Sequence, residues 1–282
     1  MKKLFNVILI TPVIIYSVFL IALPLIYILI LSFLKNDFYG GIINEFTLNN
    51  YISLLDAVYI KVFLKSFLIA LITTAICILI SYPFCIFVSK KNSYLKKIFM
   101  TLVIIPFLTN SLIRTYGIII LLRKEGIANA ILQGLNITNG PIDLMYNDFG
   151  IIFGMVYTLL PFMVLPLFSS VDKINPSIIE AAGDLGANKK SIFKEIILPE
   201  TIPGLFNGSL MVFIPTIGFF FISDLLGGGK LMLLDNLIKN QFLTARNWPF
   251  GAAISIVLIL ITFLLVNIYK KLGGDMDELG GF

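Results

Sequence analysis

The chain has 282 residues, 58% of them apolar and 13% charged, with a net charge of +5 and no histidine. A soluble domain carries about 25% charged residues, so this composition excludes one and describes an integral membrane protein. The lack of histidine also excludes a His-held haem, a Cys/His zinc site and a Ser-His-Asp triad.

A bilayer core ~30 Å thick needs about 20 apolar helical residues to cross it. Uncharged runs of that length occupy 4–34, 66–89, 149–171, 201–223 and 247–269, and a sixth, 98–122, is interrupted only by Arg114. None alternates as a barrel strand does. The expectation is an all-α integral membrane protein with six transmembrane helices, at about 5–34, 66–89, 98–122, 149–171, 203–224 and 248–269.

The first run follows Lys2 and Lys3. A cleaved secretory signal has a core of only ~7 to 15 residues, so this longer run is a retained helix, which Pro12 and Pro24 are expected to kink. Orientation follows from lysine and arginine, which concentrate in short cytoplasmic loops. Lys90, Lys91, Lys96 and Lys97 lie between spans two and three with no acid, which makes that turn cytoplasmic. Alternation then puts both termini inside with Lys2, Lys3, Lys270 and Lys271, together with loop 172–200 and its Lys173, Lys189, Lys190 and Lys194. The longer loops, with Lys35, Lys61, Lys65, Arg123, Lys124, Lys230, Lys239 and Arg246, face outward, because long loops translocate despite their charge. The basic balance therefore reports topology and not a nucleic-acid surface.

In the first outer loop, Gly40-Gly41 reads as a turn and 48–52 as the start of an interfacial helix. Pro83, in the second span, is expected to break its helix. The same span holds Cys77 and Cys85, ~12 Å apart along the axis and too far apart for a disulfide with each other. On a straight third span Arg114 stands ~24 Å from the inner end, either snorkelling to the outer headgroups or paired with a carboxylate inside the bundle. In the second outer loop, 128–132 reads as a short helix and Gly140-Pro141 as a turn.

After span four, Asn175 is a natural N-cap, Pro176 a first helical residue and Gly186 a stop, which predicts a helix over 176–185. Glu180, Ala181, Ala182 and Gly183 leave its middle almost without bulk, so another body can approach the backbone closely. Asn188 caps a second helix, 189–197, with Ile192, Phe193, Ile196 and Ile197 on its apolar face and Pro199 expected to end it. Asp224, directly after Phe219-Phe220-Phe221-Ile222-Ser223, stands at the outer end of span five, either as a span-end charge in water or as a functional group. Trp248 reads as an interfacial anchor, and the acids of 275–278 as a solvated end.

Glu180-Ala181-Ala182, three residues, Gly186, nine residues, then Ile196, Leu198 and Pro199 form a pattern that resembles the EAA motif of permease subunits of bacterial ABC importers. Within that family, segments 106–117 (PFLTNSLIRTYG), 160–167 (LPFMVLPL), 222–228 (ISDLLGG) and 247–253 (NWPFGAA) are similar to the permeases of spermidine/putrescine importers. The resemblance implies a type I importer permease fold in the bacterial cytoplasmic membrane. It also implies a coupling helix that docks on an ATP-hydrolysing subunit through Glu180, Ala181, Ala182, Gly183, Asp184, Gly186 and Pro199.

The implied partners are a homologous second permease (PotC type), two ATPase subunits (PotA type) and an extracytoplasmic polyamine-binding protein (PotD type), besides the lipid bilayer. No catalytic residue, metal ligand or cofactor site is expected in the chain itself. Gly227-Gly228-Gly229-Lys230 is no phosphate loop, because Leu231 follows the lysine and Asp224 stands where the leading glycine belongs. ATP and Mg therefore belong to the partner ATPase. A polyamine's ammonium groups favour carboxylates and aromatic faces, which makes Asp224, Phe220, Phe221, Tyr116, Tyr157 and Arg114 the candidates for its path. Two alternatives stay open: an importer permease for another small solute, since fold does not fix substrate, and an ion-coupled secondary transporter. The latter would carry ionisable residues near the bilayer midplane, where these spans offer only Arg114.

Overall fold

The computed structural model describes residues 11–13, 15–16, 18–37, 40–229 and 231–271, the side chains of 269–271 excepted. Lys2, Lys3, the first residues of span one, Lys230 and the acids of 275–278 lie outside the described residues.

The first apolar helix, Thr11–Ser32, contains a π turn at Val18–Ala22 followed by α1, Leu23–Ser32. Strands β1 (Leu34–Asn36) and β2 (Ile42–Phe46) then form an antiparallel hairpin, with Leu34 opposite Phe46 and Asn36 opposite Ile42. Helices α2 (Asn49–Ser53) and α3 (Ala57–Ser89) follow, then α4 (Ser93–Ile104), which passes into a 3₁₀ turn at Ile105–Leu108. Next come α5 (Ser111–Leu122), α6 (Ile127–Gly134) and α7 (Asp148–Asp172). The remainder is α8 (Pro176–Asp184), α9 (Lys189–Ile192), a π turn at Phe193–Ile197, α10 (Leu198–Gly218), α11 (Phe220–Gly227), α12 (Leu234–Leu243) and α13 (Trp248–Lys271). Among the described residues five helices are long and apolar enough to cross a membrane, and six if the bent pair Ser93–Leu108 and Ser111–Gly134 counts as one span. The small hairpin is an addition to the all-α expectation.

Four expectations about helix ends and breaks are corrected. Pro199 does not stop its helix: an unbroken helical run extends over Lys189–Gly218. A proline ring clashes with the carbonyl four residues earlier, and a π turn just before it moves that carbonyl aside. Pro24 and Pro199 each follow such a turn by two residues, at Val18–Ala22 and Phe193–Ile197. Pro83 does not break α3 either, which runs for 33 residues. The third span, by contrast, bends by 95°. Thr109 is extended there and its hydroxyl donates to Pro106 O at 2.7 Å, while Asn110 Oδ1 restarts the helix by accepting from the Leu112 N–H at 2.8 Å. Arg114 therefore sits in the opening turns of a new helix, and the straight-span estimate of its depth does not apply. Likewise the run expected to reach residue 224 stops at Gly218, and Phe219 (φ −86°, ψ 68°) separates α10 from α11.

Contacts divide the chain into two compact units, Met1–Lys61 with Asn236–Phe263 and Val62–Asp235 with Leu264–Phe282. In the first, Asn50 Nδ2 donates to Ser32 O and Leu34 O, both at 2.9 Å, and the Phe33 ring stacks on Phe46 at 5.4 Å. These contacts pin the hairpin to α2. The Trp248 ring meets Phe242 at 6.4 Å.

The second unit has its core where α5, α7, α10 and α11 meet, at Ile118, Met155, Leu159, Met163, Val212, Ile222 and Leu226. Helices α7 and α10 pack most extensively, through Gly204 and Gly208, spaced G-x-x-x-G. A Cβ on Gly204 would lie 2.3 Å from Ser170 Oγ and 2.5 Å from Pro166 O, and one on Gly208 2.7 Å from Met163 Sδ. Small residues are what allow two membrane helices this approach, since lipid leaves packing as the main attraction between them. Ion pairs Lys65–Asp148 (2.9 Å) and Lys96–Asp172 (2.5 Å) tie α7 to its neighbours at its two ends, ~36 Å apart along the axis. Asn129 is fully buried in the 123–148 loop, donating to Arg123 O and Ile142 O and accepting from the Ile142 N–H. Cys77 and Cys85 are buried free thiols.

Candidate functional site

The loop after α7 is built by its caps. Asn175 Oδ1 accepts from the Ser177 N–H at 3.1 Å, and Pro176 occupies a first-turn position where no backbone donor is needed. At the far end Gly186 adopts φ +83°, which lets the Ala187 N–H reach Ala182 O at 3.0 Å and the Gly186 N–H reach Gly183 O at 2.9 Å. This pair of bonds is a Schellman stop, and a side chain disfavours the left-handed backbone it requires. Two residues on, Asn188 Oδ1 accepts from the Lys190 and Ser191 N–H groups at 3.0 and 2.9 Å and starts α9.

Helix α8 buries none of its residues. Ile178 is 53% and Leu185 89% exposed, and a Cβ on Gly183 would meet nothing within 4 Å. Glu180, Ala181, Ala182, Gly183 and Asp184 are all on α8, Gly186 ends it, and Pro199 belongs to the first turn of α10. Glu180 also lines a cavity of about 590 Å³ with Lys90, Lys96, Pro176 and Ile179 among others.

The other end of the loop is rooted in the spans. The Phe193 ring packs edge-on against Tyr82 at 5.4 Å, and Phe193, Ile197 and Leu198 cover the buried cluster Tyr82, Cys85, Val164, Leu167 and Val171. The Tyr82 and Thr201 hydroxyls are hydrogen-bonded, and Thr201 Oγ1 donates to Ile197 O at 2.8 Å, which leaves Tyr82 as the donor of the pair. The arrangement is an arm with an open tip and a buried root.

The candidates for a solute path fall on three packed elements: Arg114 and Tyr116 on α5, Tyr157 on α7, and Asp224, Phe220 and Phe221 on α11. The Phe220 and Phe221 rings meet edge-on at 6.2 Å. Phe221 packs against the core, while Phe220, Tyr116 and Tyr157 are exposed. Asp224 is half-buried on α11. Arg114 faces a cavity of about 270 Å³ with Phe107, Thr109, Ser111, Thr158, Phe162 and Phe219. Its guanidinium lies 5.4 Å from the centre of the Phe107 ring. Of the two readings of Arg114, pairing with a carboxylate of this chain is not found: among the described residues it has no ion-pair partner.

Two polar groups were missed from the sequence. Thr158, only 2% exposed, joins Arg114 in that cavity, and an unbroken apolar span gave no sign of it. Asp235, 5% exposed, accepts from Ser223 Oγ at 2.8 Å. Its signal was available, since it is an acid between Leu233-Leu234 and Leu237-Ile238.

Comparison with known proteins gives these features a context. Residues 81–277 match the family described as the binding-protein-dependent transport system inner membrane component. The spermidine/putrescine transport system permease protein PotB of Salmonella typhimurium (strain SL1344) is 44% identical over 270 residues, covering 96% of this chain and 94% of that protein. PotB of Haemophilus influenzae is 42% identical, covering 93% and 92%. The inner membrane ABC transporter permease protein YdcU of Escherichia coli is 27% identical over 84% and 80%. Among solved structures, a bacterial alginate ABC transporter in complex with an alginate pentasaccharide-bound periplasmic protein superposes with a TM-score of 0.76 at 14% identity, over 96% of both chains. That likeness concerns the fold, a type I importer permease. The chain is a multi-pass membrane protein and belongs to the family of binding-protein-dependent transport system inner membrane components.

Proposed function

We propose that this chain is the permease subunit of an ATP-driven importer of spermidine and putrescine, coupled to its ATPase subunits through α8. The observation that carries the substrate class is 42–44% identity with spermidine/putrescine permeases over more than nine-tenths of the chain. The partners are a second permease of the PotC type, two ATPase subunits of the PotA type, which bind the ATP and Mg, and a polyamine-binding protein of the PotD type outside a bacterial cytoplasmic membrane. The loop lies on the cytoplasmic side, in keeping with its lysines and with Lys96, which joins the basic turn 90–97 to Asp172.

Coupling follows from the shape of the arm. A cleft on the ATPase closes around the small-residue face of α8, where Ala181, Ala182 and Gly183 let it reach the backbone. Because Gly186 and Asn188 fix the chain's course out of α8, a displacement of that helix is passed to the π turn and not lost in a flexible linker. Phe193, Ile197 and Leu198 then carry it into Tyr82 on α3, Val164 and Leu167 on α7, and the start of α10. The result is that spans on the path move together with the ATPase.

The test is cross-linking. Cysteines replacing Ile178 or Leu185, both exposed at the tip, should join the ATPase subunit in the assembled complex, with a yield that changes when ATP binds. Cysteine at Phe46, 73% exposed in the outer hairpin, should give none. No cross-link from either tip position, in a complex that transports, would overturn the coupling assignment.

A further inference from the structure

Arg114 and Thr158 line one cavity together with the polar residues Thr109 and Ser111, and each of the two has a polar atom whose needs the described residues leave unmet. Arg114 Nε and Thr158 Oγ1 are both buried, and neither has a hydrogen-bond partner among the described residues. Among the described residues Thr73 Oγ1 on α3 is likewise buried without a partner, whereas Thr74, Thr115 and Thr216 satisfy their hydroxyls on the carbonyl four residues back, at Ala70, Ser111 and Val212. Thr158 does not, although it is 2% exposed. Lys35, Lys65, Lys96 and Lys124 form ion pairs among the described residues, with Glu45, Asp148, Asp172 and Asp143, and none of these carboxylates reaches Arg114. Among the described residues its charge is faced by the Phe107 ring, 5.4 Å away. Charges within a membrane span are costly unless paired.

We propose that this site is completed by a carboxylate of the second permease subunit, which enters the cavity and takes hydrogen bonds from the Arg114 guanidinium and the Thr158 hydroxyl. The proposal rests on the reading that the chain works beside such a subunit. Its chemistry is specific. A planar guanidinium presents paired donors that match a carboxylate's two oxygens, and a hydroxyl at the side adds a third. The rim supplied by Phe107, Phe162 and Phe219 is apolar, as the surround of an ion pair covered by another helix should be, and about 270 Å³ admits one acidic side chain. The proposed solute is excluded as the counter-charge, since a polyammonium ion carries the same sign as arginine. Arg114 is thus assigned to the interface between the two permeases and removed from the solute-contact candidates.

The experiment uses the complete complex, with Arg114→Gln, Arg114→Glu and Arg114→Lys variants checked for membrane insertion. It reads the amount of second permease that co-purifies, and spermidine uptake alongside. Gln and Glu are expected to lower co-purification at least tenfold, Glu more than Gln, and Lys by less than either. The Glu loss should be restored by reversing one acidic residue of the second permease to arginine. If the Glu variant fails to insert, Gln decides, and co-purification like wild type overturns the proposal. A loss that no reversal restores also overturns it, and leaves a small anion or a lipid phosphate as the occupant. Because co-purification does not depend on what is transported, a wild-type complex that ignores spermidine would refute the proposed substrate without touching this result.

Discussion

Gly186 is where the coupling arm can be tested with the least disturbance. Its backbone angle of φ +83° lies in the left-handed region, and a Cβ added there would meet nothing within 4 Å, so a substitution acts through the backbone alone. Placing an ordinary residue in that region costs ~1–2 kcal/mol. The reduced freedom of the unfolded chain returns ~0.4–1 kcal/mol for alanine. The net cost of Gly186→Ala is therefore about 1 kcal/mol, or about fivefold in a local opening equilibrium. It falls on a nine-residue helix with no buried residue, which has little else to hold its end. Amide exchange at Leu185, Gly186 and Ala187, whose N–H groups make the closing bonds, should quicken about fivefold in Gly186→Ala. Gly186→Asn should change it little, because asparagine tolerates the left-handed region, and Gly186→Leu should follow alanine. Spermidine taken up per ATP hydrolysed should fall in the same order. Equal behaviour of Ala and Asn would refute the argument, since side-chain size would then matter and backbone angle would not.

Two further predictions concern the spans. Gly204→Ala must push α7 and α10 apart against Pro166 O and should destabilise the protein by ~1–3 kcal/mol, seen as a lower thermal midpoint in detergent, while Gly117→Ala, with open space at its Cβ, should not. Asp224→Asn should reduce spermidine uptake at least tenfold with assembly and basal ATPase activity intact, if the half-buried carboxylate on α11 faces the polyamine; unchanged uptake removes Asp224 from the path.

Much of this was legible because the signals are local. The caps at Asn175, Pro176, Gly186 and Asn188 depend on the residues beside them, and their hydrogen bonds form as spacing predicts. The helix of residues 127–134 was readable for the same reason. What failed depended on how the chain resolves a conflict. A proline in an apolar run can stop a helix, kink it or be absorbed by a π turn, and the sequence around Pro199 does not distinguish these outcomes. Around Pro106 the polar pair Thr109-Asn110 did carry the sign of a break, a hydroxyl and an N-cap inside an apolar span. Reading charge alone hid it, and with it the true setting of Arg114. Thr158 was beyond reach for another reason: which face of a membrane helix is buried is decided by its neighbours, and lipid-facing and protein-facing residues are equally apolar.

The proposed function has this chain carry polyamines inward at the expense of ATP hydrolysed by its partners. The measurement is uptake of labelled spermidine into proteoliposomes that hold the complete complex, with binding protein outside and ATP within. Uptake that requires ATP and is displaced by unlabelled putrescine is the result predicted. A complex that moves no polyamine, yet whose ATPase is stimulated by another solute and its binding protein, would contradict the substrate and leave only the importer.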